Sequence, residues 1–281
     1  MKFNLAAFAD EAGAELSVQI AAMRKNGIGM LEMRGVDGKN CAQLTVEEAK
    51  DVQKRLADAG LKVWSLGSPF GKINIEEDFE PHLENLRRSL EVCRETGIER
   101  IRMFSFYMPE GKDPANYRQA VIERMGRMLD AAEDAGIKLC HENEKGIYGD
   151  NAPRCLDLYK TFEGRLGGIF DPANFLQVGQ ETLPALEMLS PYITYMHVKD
   201  AVLSNGHVVP AGRGDGHLAE LLAHFAKRED DMTLTLEPHL RVFSGLSGLE
   251  REGERSNVGD YAYATAEEAF DAACAALREL L

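Results

Sequence analysis

Apolar residues recur along this chain in two alternating patterns. Short apolar runs occur at Phe3–Phe8, Met30–Met33, Lys62–Leu66, Arg100–Phe104, Lys138–His141, Gly167–Phe170, Ile193–His197 and Thr233–Leu236, and each predicts a strand. Between them lie longer segments in which apolar residues return every three or four positions. Val46, Ala49, Val52 and Leu56 follow a Thr45–Glu48 capping box. Leu83, Leu86, Leu90 and Cys93 form the stripe of a helix with Pro81 in its first turn. Val121, Met125, Leu129 and Ala132 mark a third helix, where methionine reads as core filler. Four helical segments close with Asn26-Gly27-Ile28, Ala59-Gly60-Leu61, Thr96-Gly97-Ile98 and Ala135-Gly136-Ile137. Each glycine suits the left-handed position just past a helix C-terminus.

The glycine intervals are 33, 37 and 39 residues, and successive strands start 26 to 40 residues apart. That is the size of a strand–helix unit. Unbroken alternation implies parallel pairing, and eight units predict an α/β fold, a (β/α)₈ TIM barrel, as one domain over residues 1–281. A doubly wound sheet is the alternative. It usually carries a glycine-rich phosphate loop after its first strand, and here Ala9-Asp10-Glu11 stands in that place. The polar, glycine-rich segment 240–261 has no clear period. It follows the eighth strand, where Phe243, Leu246 and Leu249 are placed to cover a ligand as a lid. A subunit contact or plain surface is the competing reading.

Composition narrows the class of function. With 281 residues, 44% hydrophobic and 28% charged, the chain can bury a core without staples. No apolar run approaches the roughly 18 residues of a membrane span, and the N-terminus lacks a signal-peptide pattern, so a cytoplasmic protein is expected. There are 32 basic and 46 acidic residues, a net charge of −14. That argues against a nucleic-acid partner or an anionic membrane and leaves room for a small molecule. The five cysteines, Cys41, Cys93, Cys140, Cys155 and Cys274, contain no CxxC, so neither disulfides nor a zinc–thiolate site is expected. A homo-oligomer, dimer or tetramer, is allowed but not required.

The chemistry gathers at the ends of the last four strands. They deliver Glu142, Asp171, His197 and Glu237 to one rim, with Pro172 and Pro238 marking where two strands stop. Any one of these residues has an ordinary structural reading. Three carboxylates and an imidazole converging together would repel and desolvate one another without a cation. Oxygen-rich ligands with one histidine suit Mn²⁺ or Mg²⁺, with Co²⁺ and Zn²⁺ as alternatives.

The segments SPFGK (68–72), HENE (141–144), FDPANF (170–175), HVKDA (197–201) and LEPH (236–239) resemble the sugar phosphate isomerase/epimerase family. These are xylose-isomerase-like barrels that include ketose 3-epimerases, inosose dehydratases and endonuclease IV. The resemblance runs over essentially the whole chain. It implies one divalent metal on Glu142, Asp171, His197 and Glu237. It also implies proton abstraction beside a metal-chelated carbonyl through an enediolate, with Glu142 and Glu237 removing and returning the proton. The substrate implied is a keto sugar or a sugar phosphate. A dehydratase of a keto-polyol begins with the same step, and a non-catalytic sugar-binding barrel is the third reading. The ketose 3-epimerase pattern is departed from at Asn174, Leu203 and Tyr148, which replace a histidine, an arginine and an acidic residue.

Further residues are expected around the substrate. Glu144 shares the direction of Glu142 in an extended strand, whereas His141 points away and is structural. Lys72 in the third loop, Lys199 two residues beyond His197, and Asn174 are candidate substrate contacts. Arg213, within Gly212-Arg213-Gly214-Asp215-Gly216, is the favoured anion contact, because loops after strands seven and eight often hold phosphate in barrels. Glu32 and Arg34 read as an ion pair inside the barrel.

Overall fold

The eight apolar runs are long enough to cross one sheet and short enough to need parallel neighbours on both sides. In the computed structural model, which describes residues 3–243, 261 and 263–281, they become β1 (Phe3–Ala7), β2 (Met30–Met33), β3 (Lys62–Leu66), β4 (Arg100–Met103), β5 (Lys138–Glu142), β6 (Gly167–Phe170), β7 (Ile193–Val198) and β8 (Met232–Leu236). Each differs from its sequence-derived span by at most one residue per end. The strands close into a parallel barrel, with β8 pairing to β1 from Phe3↔Met232 to Ala7↔Leu236. The doubly wound alternative is excluded by this closure.

Helices follow each strand and cover the outside. The capping box at Thr45 and Glu48 is formed, opening the helix Val46–Asp58. Gly27, Gly60, Gly97 and Gly136 all adopt positive φ, as their helix-ending positions require. One extended apolar core lies between strands and helices. A second, small cluster of Cys140, Ile169 and Tyr195, packed against Trp64, occupies the barrel interior. Apolar side chains therefore plug the lower barrel, and the polar side chains gather at the carboxyl ends of the strands.

Two loops at that end are shaped by close backbone approach. In the loop after β3, a Cβ on Gly71 would stand 2.0 Å from the Phe104 carbonyl oxygen, so only glycine fits. The Gly71 amide donates to His82 Nε2 at 2.8 Å. In the loop after β7, the glycines surround Asp200. Its two oxygens accept from the amides of Ala201, Gly212, Gly214 and Gly216, each at 2.9 Å. A Cβ on Gly214 or Gly216 would meet Asp200 Oδ1 at 2.5 or 2.6 Å. The glycine-rich loop is indeed a nest for an anion, but the anion is the protein's own carboxylate.

Two outcomes follow. Burial pushes His82 down to about 4, and its acceptor role needs the neutral ring. A depressed histidine pKa stabilises the fold above the unfolded value near 6.5 and loses that stability as pH falls toward 4. The wild-type melting temperature should drop across this window, and His82→Gln should flatten the drop; parallel pH profiles of thermal unfolding check it. Asp200→Ala should cost about 3 kcal/mol, because buried amides lose their acceptor. Urea unfolding of that variant, with metal binding retained, tests the nest as a structural device.

Candidate metal centre

Three local devices aim the rim residues. Asn143, one past Glu142, ties β5 to β6 by a reciprocal pair: its Nδ2 donates to the Asp171 carbonyl and its Oδ1 accepts from the Asp171 amide, both at 2.9 Å. Asp171 then caps the helix Pro172–Gln177, with Oδ1 accepting from the Asn174 amide at 2.8 Å. That leaves Asp171 Oδ2, buried and without a hydrogen bond, facing the cluster. On β7, Tyr195 and His197 share the inward face, their rings 5.6 Å apart.

The structure brings Glu142, Asp171, His197 and Glu237 together, each offering one atom within 4.8 Å of the others. His197 Nδ1 lies 3.0 Å from Glu142 Oε1, 3.6 Å from Glu237 Oε2 and 3.8 Å from Asp171 Oδ2. These spacings and a donor set of three carboxylate oxygens with one nitrogen suit a divalent cation with ligand bonds of roughly 2.1 Å. All four side chains are buried. The opposite His197 nitrogen, Nε2, lies 3.4 Å from Glu32 Oε2, and Glu32 is anchored by the Tyr195 hydroxyl at 2.8 Å. A carboxylate behind a histidine orients the ring and fixes which nitrogen faces forward.

The expected Glu32–Arg34 ion pair is not what forms. Glu32 sits deeper, after a register shift in β2, and serves Tyr195 and His197. Arg34 instead clasps the ends of β1 and β8. It donates to both Asp10 oxygens at 2.9 Å, and to Glu11 Oε1 and Glu237 Oε1 at 3.0 Å. Arg102 holds the other glutamate, donating to Glu142 Oε2 at 3.1 Å and to the Gly67 carbonyl at 3.0 Å. Sequence reasoning passed over Arg102. Its signal was the strand Arg-Ile-Arg-Met, where the arginines alternate with apolar residues and so face the barrel interior.

Aromatic rings separate these cations in a row across the mouth. Lys72 lies over Phe104 at 4.4 Å, and Arg102 lies 5.0 Å from Phe104 and 4.8 Å from Phe8. Arg34 lies 4.5 Å from Phe8 and 4.7 Å from Phe243, and His239 stacks on Phe243 at 5.6 Å. Each such contact is worth about 0.5–2 kcal/mol when desolvated. Of the lid reading, Phe243 is buried against Arg34, Leu240 is buried in the main apolar core and Tyr261 is exposed. Residues 244–260, with Leu246 and Leu249, lie outside the described residues.

The buried carboxylates titrate by environment. Burial would raise Glu142, but His197 and Arg102 outweigh it and hold it at about 2. Burial likewise opposes ionisation of Glu237, yet Lys199, His239, His197 and Arg34 keep it well below the ordinary range. Asp171 is pushed up to about 8 by burial and by the charges of Glu142 and Glu237, which Lys199 only partly offsets. Among the described residues, Asp10, Glu11, Glu32, Glu142, Asp171 and Glu237 face only Arg34, Arg102 and Lys199 as permanent cations in this buried region. Burial and the neighbouring carboxylates keep Asp171 from ionising freely, and a divalent ion beside it would relieve that.

The remaining candidates fall in different places. Lys199 is buried inside the cluster, donating to Glu237 Oε2 at 2.8 Å with Asp171 Oδ2 at 2.9 Å. Asn174 Nδ2 donates to Glu142 Oε1 at 3.1 Å and to the Asn143 carbonyl at 2.9 Å. Lys72 and Glu144 pair with each other at 3.0 Å at the edge of the mouth. The regular strand ends at Glu142, two residues before Glu144. His141 points outward to Ser105 Oγ at 3.0 Å, as a structural residue does. Arg213 sits apart from these. It is exposed and paired with Glu279 at 2.8 Å, and its loop spends its amides on Asp200.

The uncharacterized protein YihM of Escherichia coli strain K12 is 22% identical over 198 residues, 67% of this chain and 56% of its own length. The chain thus matches little more than half of that relative. Among solved structures, the IOLI protein with a binding zinc atom superposes with TM-score 0.75 at 14% identity, covering 99% of this chain and 98% of that one. The probable 3-DHS dehydratase AsbF from Bacillus anthracis gives 0.73 at 16%, covering 99% of both. D-Psicose 3-epimerase with D-tagatose from Clostridium cellulolyticum H10 gives 0.72 at 15%, covering 99% and 98%. At these identities the structures establish the shared fold. The family model matches residues 20–280, and the chain belongs to the xylose isomerase-like TIM barrel family.

Proposed function

We propose that the protein is a divalent-metal-dependent isomerase or epimerase of a keto sugar, working by proton abstraction beside the carbonyl. The observation that carries this is the convergence of Glu142, Asp171, His197 and Glu237 on one buried point. A cation held by these four would act as a Lewis acid toward the carbonyl and its neighbouring hydroxyl; the donor set favours Mn²⁺, and the zinc of the IOLI structure keeps Zn²⁺ in view. β5 and β8 stand three places apart in the ring of eight strands. Glu142 and Glu237 therefore approach the mouth from different sides, as removal and return of a proton at one carbon requires. Both are ionised, and each can take a proton only as its cationic partners loosen and water is excluded. Of these partners, Lys199 on Glu237 is the one with a flexible stem, which makes Glu237 the better base.

The charges favour an uncharged sugar over a sugar phosphate. Among the described residues, Lys72 is paired with Glu144, while the two arginines, Arg34 and Arg102, are spent on the carboxylates of the cluster. A second reading, dehydration of a keto-polyol, is favoured by the three positions that depart from the 3-epimerase pattern. Asn174 is turned onto Glu142, Tyr148 onto Asp157 at 2.8 Å, and Leu203 lies exposed. The likeness in fold to the probable 3-DHS dehydratase AsbF supports the same alternative. The five buried, unpaired cysteines suit a cytoplasmic setting, and no described helix is long and apolar enough to cross a membrane.

Elemental analysis should find about one metal ion per chain, lost in Glu142→Ala/Glu237→Ala. Absence of metal after purification and titration would leave only the binding-barrel reading. Keto sugars incubated with the loaded enzyme in deuterium oxide should incorporate deuterium at one carbon. Glu237→Gln should lower that exchange by about 10²–10⁴ while the fold is kept; full exchange by this variant removes Glu237 from the mechanism. Loss of water from the sugar instead of exchange selects the dehydratase.

A further inference from the structure

The buried cations of the mouth are not equivalent. Arg34 is built in, bound to Asp10 and Glu11 as well as Glu237 and flanked by Phe8 and Phe243. Arg102 is tied to the Gly67 carbonyl and flanked by Phe8 and Phe104. Lys199 has no comparable anchor. Among the described residues its ammonium lies within ion-pair reach of Asp171 Oδ2 at 2.9 Å and Glu237 Oε2 at 2.8 Å. Those same oxygens lie 3.8 and 3.6 Å from His197 Nδ1, in the centre that would hold a cation. Asp171 Oδ2 accepts no well-aligned hydrogen bond from it. Lys199 follows the last residue of β7, at the open end of the barrel, on a four-carbon stem that can swing.

We propose that Lys199 and a divalent cation are alternative partners of the Asp171–Glu237 pair. The ammonium sits between the two carboxyl groups in the metal-free protein, and cation binding, which needs both of them ionised, drives it out of the pair toward the mouth. The reason is elementary: three positive charges, two on the ion and one on the ammonium, cannot share two carboxylate oxygens without strong mutual repulsion. Without a resident cation, the metal-free pair would be two desolvated carboxylates side by side. The exchange keeps the site assembled before metal arrives and supplies a donor facing the substrate afterwards. This inference rests on the metal reading of the site.

The test uses chelator-stripped full-length protein titrated with Mn²⁺ and, in parallel, Zn²⁺. Calorimetry should show Lys199→Met binding the ion at least tenfold more tightly than wild type, because the competing ammonium is gone. Its metal-free form should melt at a lower temperature than metal-free wild type, and the two metal-loaded forms should melt close together. In the wild type, acylation of Lys199 by a small amine reagent, read by peptide mass spectrometry, should rise severalfold when the ion is added. Equal or weaker metal affinity in Lys199→Met, or unchanged labelling of wild-type Lys199, overturns the exchange. If Lys199→Met does not fold, the wild-type labelling decides. Failure of the wild type to bind either ion overturns the metal reading, and this inference with it.

Discussion

The burial of negative charge at the carboxyl ends of the strands governs the rest of this structure. A barrel of eight parallel strands brings side chains from every strand end into one small volume, and here several of them are carboxylates that water cannot reach. Charged groups in such a place persist only when opposite charges stand beside them. Arg34 bridges the ends of β1, β2 and β8, and Arg102 bridges β4 and β5. These two guanidiniums hold the two glutamates on which the proposed chemistry depends. The rings of Phe8, Phe104 and Phe243 lie between and beside them and shield them from water.

The same electrostatics explains the division of labour among the carboxylates. Glu142 and Glu237 are fully engaged by cations and stay ionised, while Asp171, with one oxygen spent on a helix cap, is the least satisfied. An ion placed among them would complete Asp171 without disturbing the arginine clasps. The polar devices around the centre each fix one degree of freedom. Asn143 sets the separation of β5 and β6, Asn174 turns Glu142, and Glu32 with Tyr195 turns His197. Positioning of this kind is what lets a site built on strand ends act on a small sugar.

Charge also decides where an anion is held. The glycine-rich loop after β7 has the composition of a phosphate cradle, and its amides do converge on one anion. Asp200, from the same loop system, fills it. A motif read as a ligand site was a closed internal contact, and Arg213, exposed beside Glu279, was left outside it.

The sequence by itself determined the barrel and the four rim residues. Period-two and period-3.6 patterns, helix-ending glycines and the prolines after Asp171 and before His239 are local signals, and local signals place strands and their ends to within a residue. Glu142, Asp171, His197 and Glu237 were legible because each sits at a strand end, and closing the barrel brings strand ends together. What only the tertiary structure decided were the pairings across the mouth. Glu32 and Arg34, two residues apart, took partners 163 and 203 residues away. Arg102, Phe8 and Lys199 gained their roles from neighbours on other strands. Side-chain partners inside a barrel are set by depth, register and the balance of buried charge, and none of these is a property of neighbouring residues along the chain.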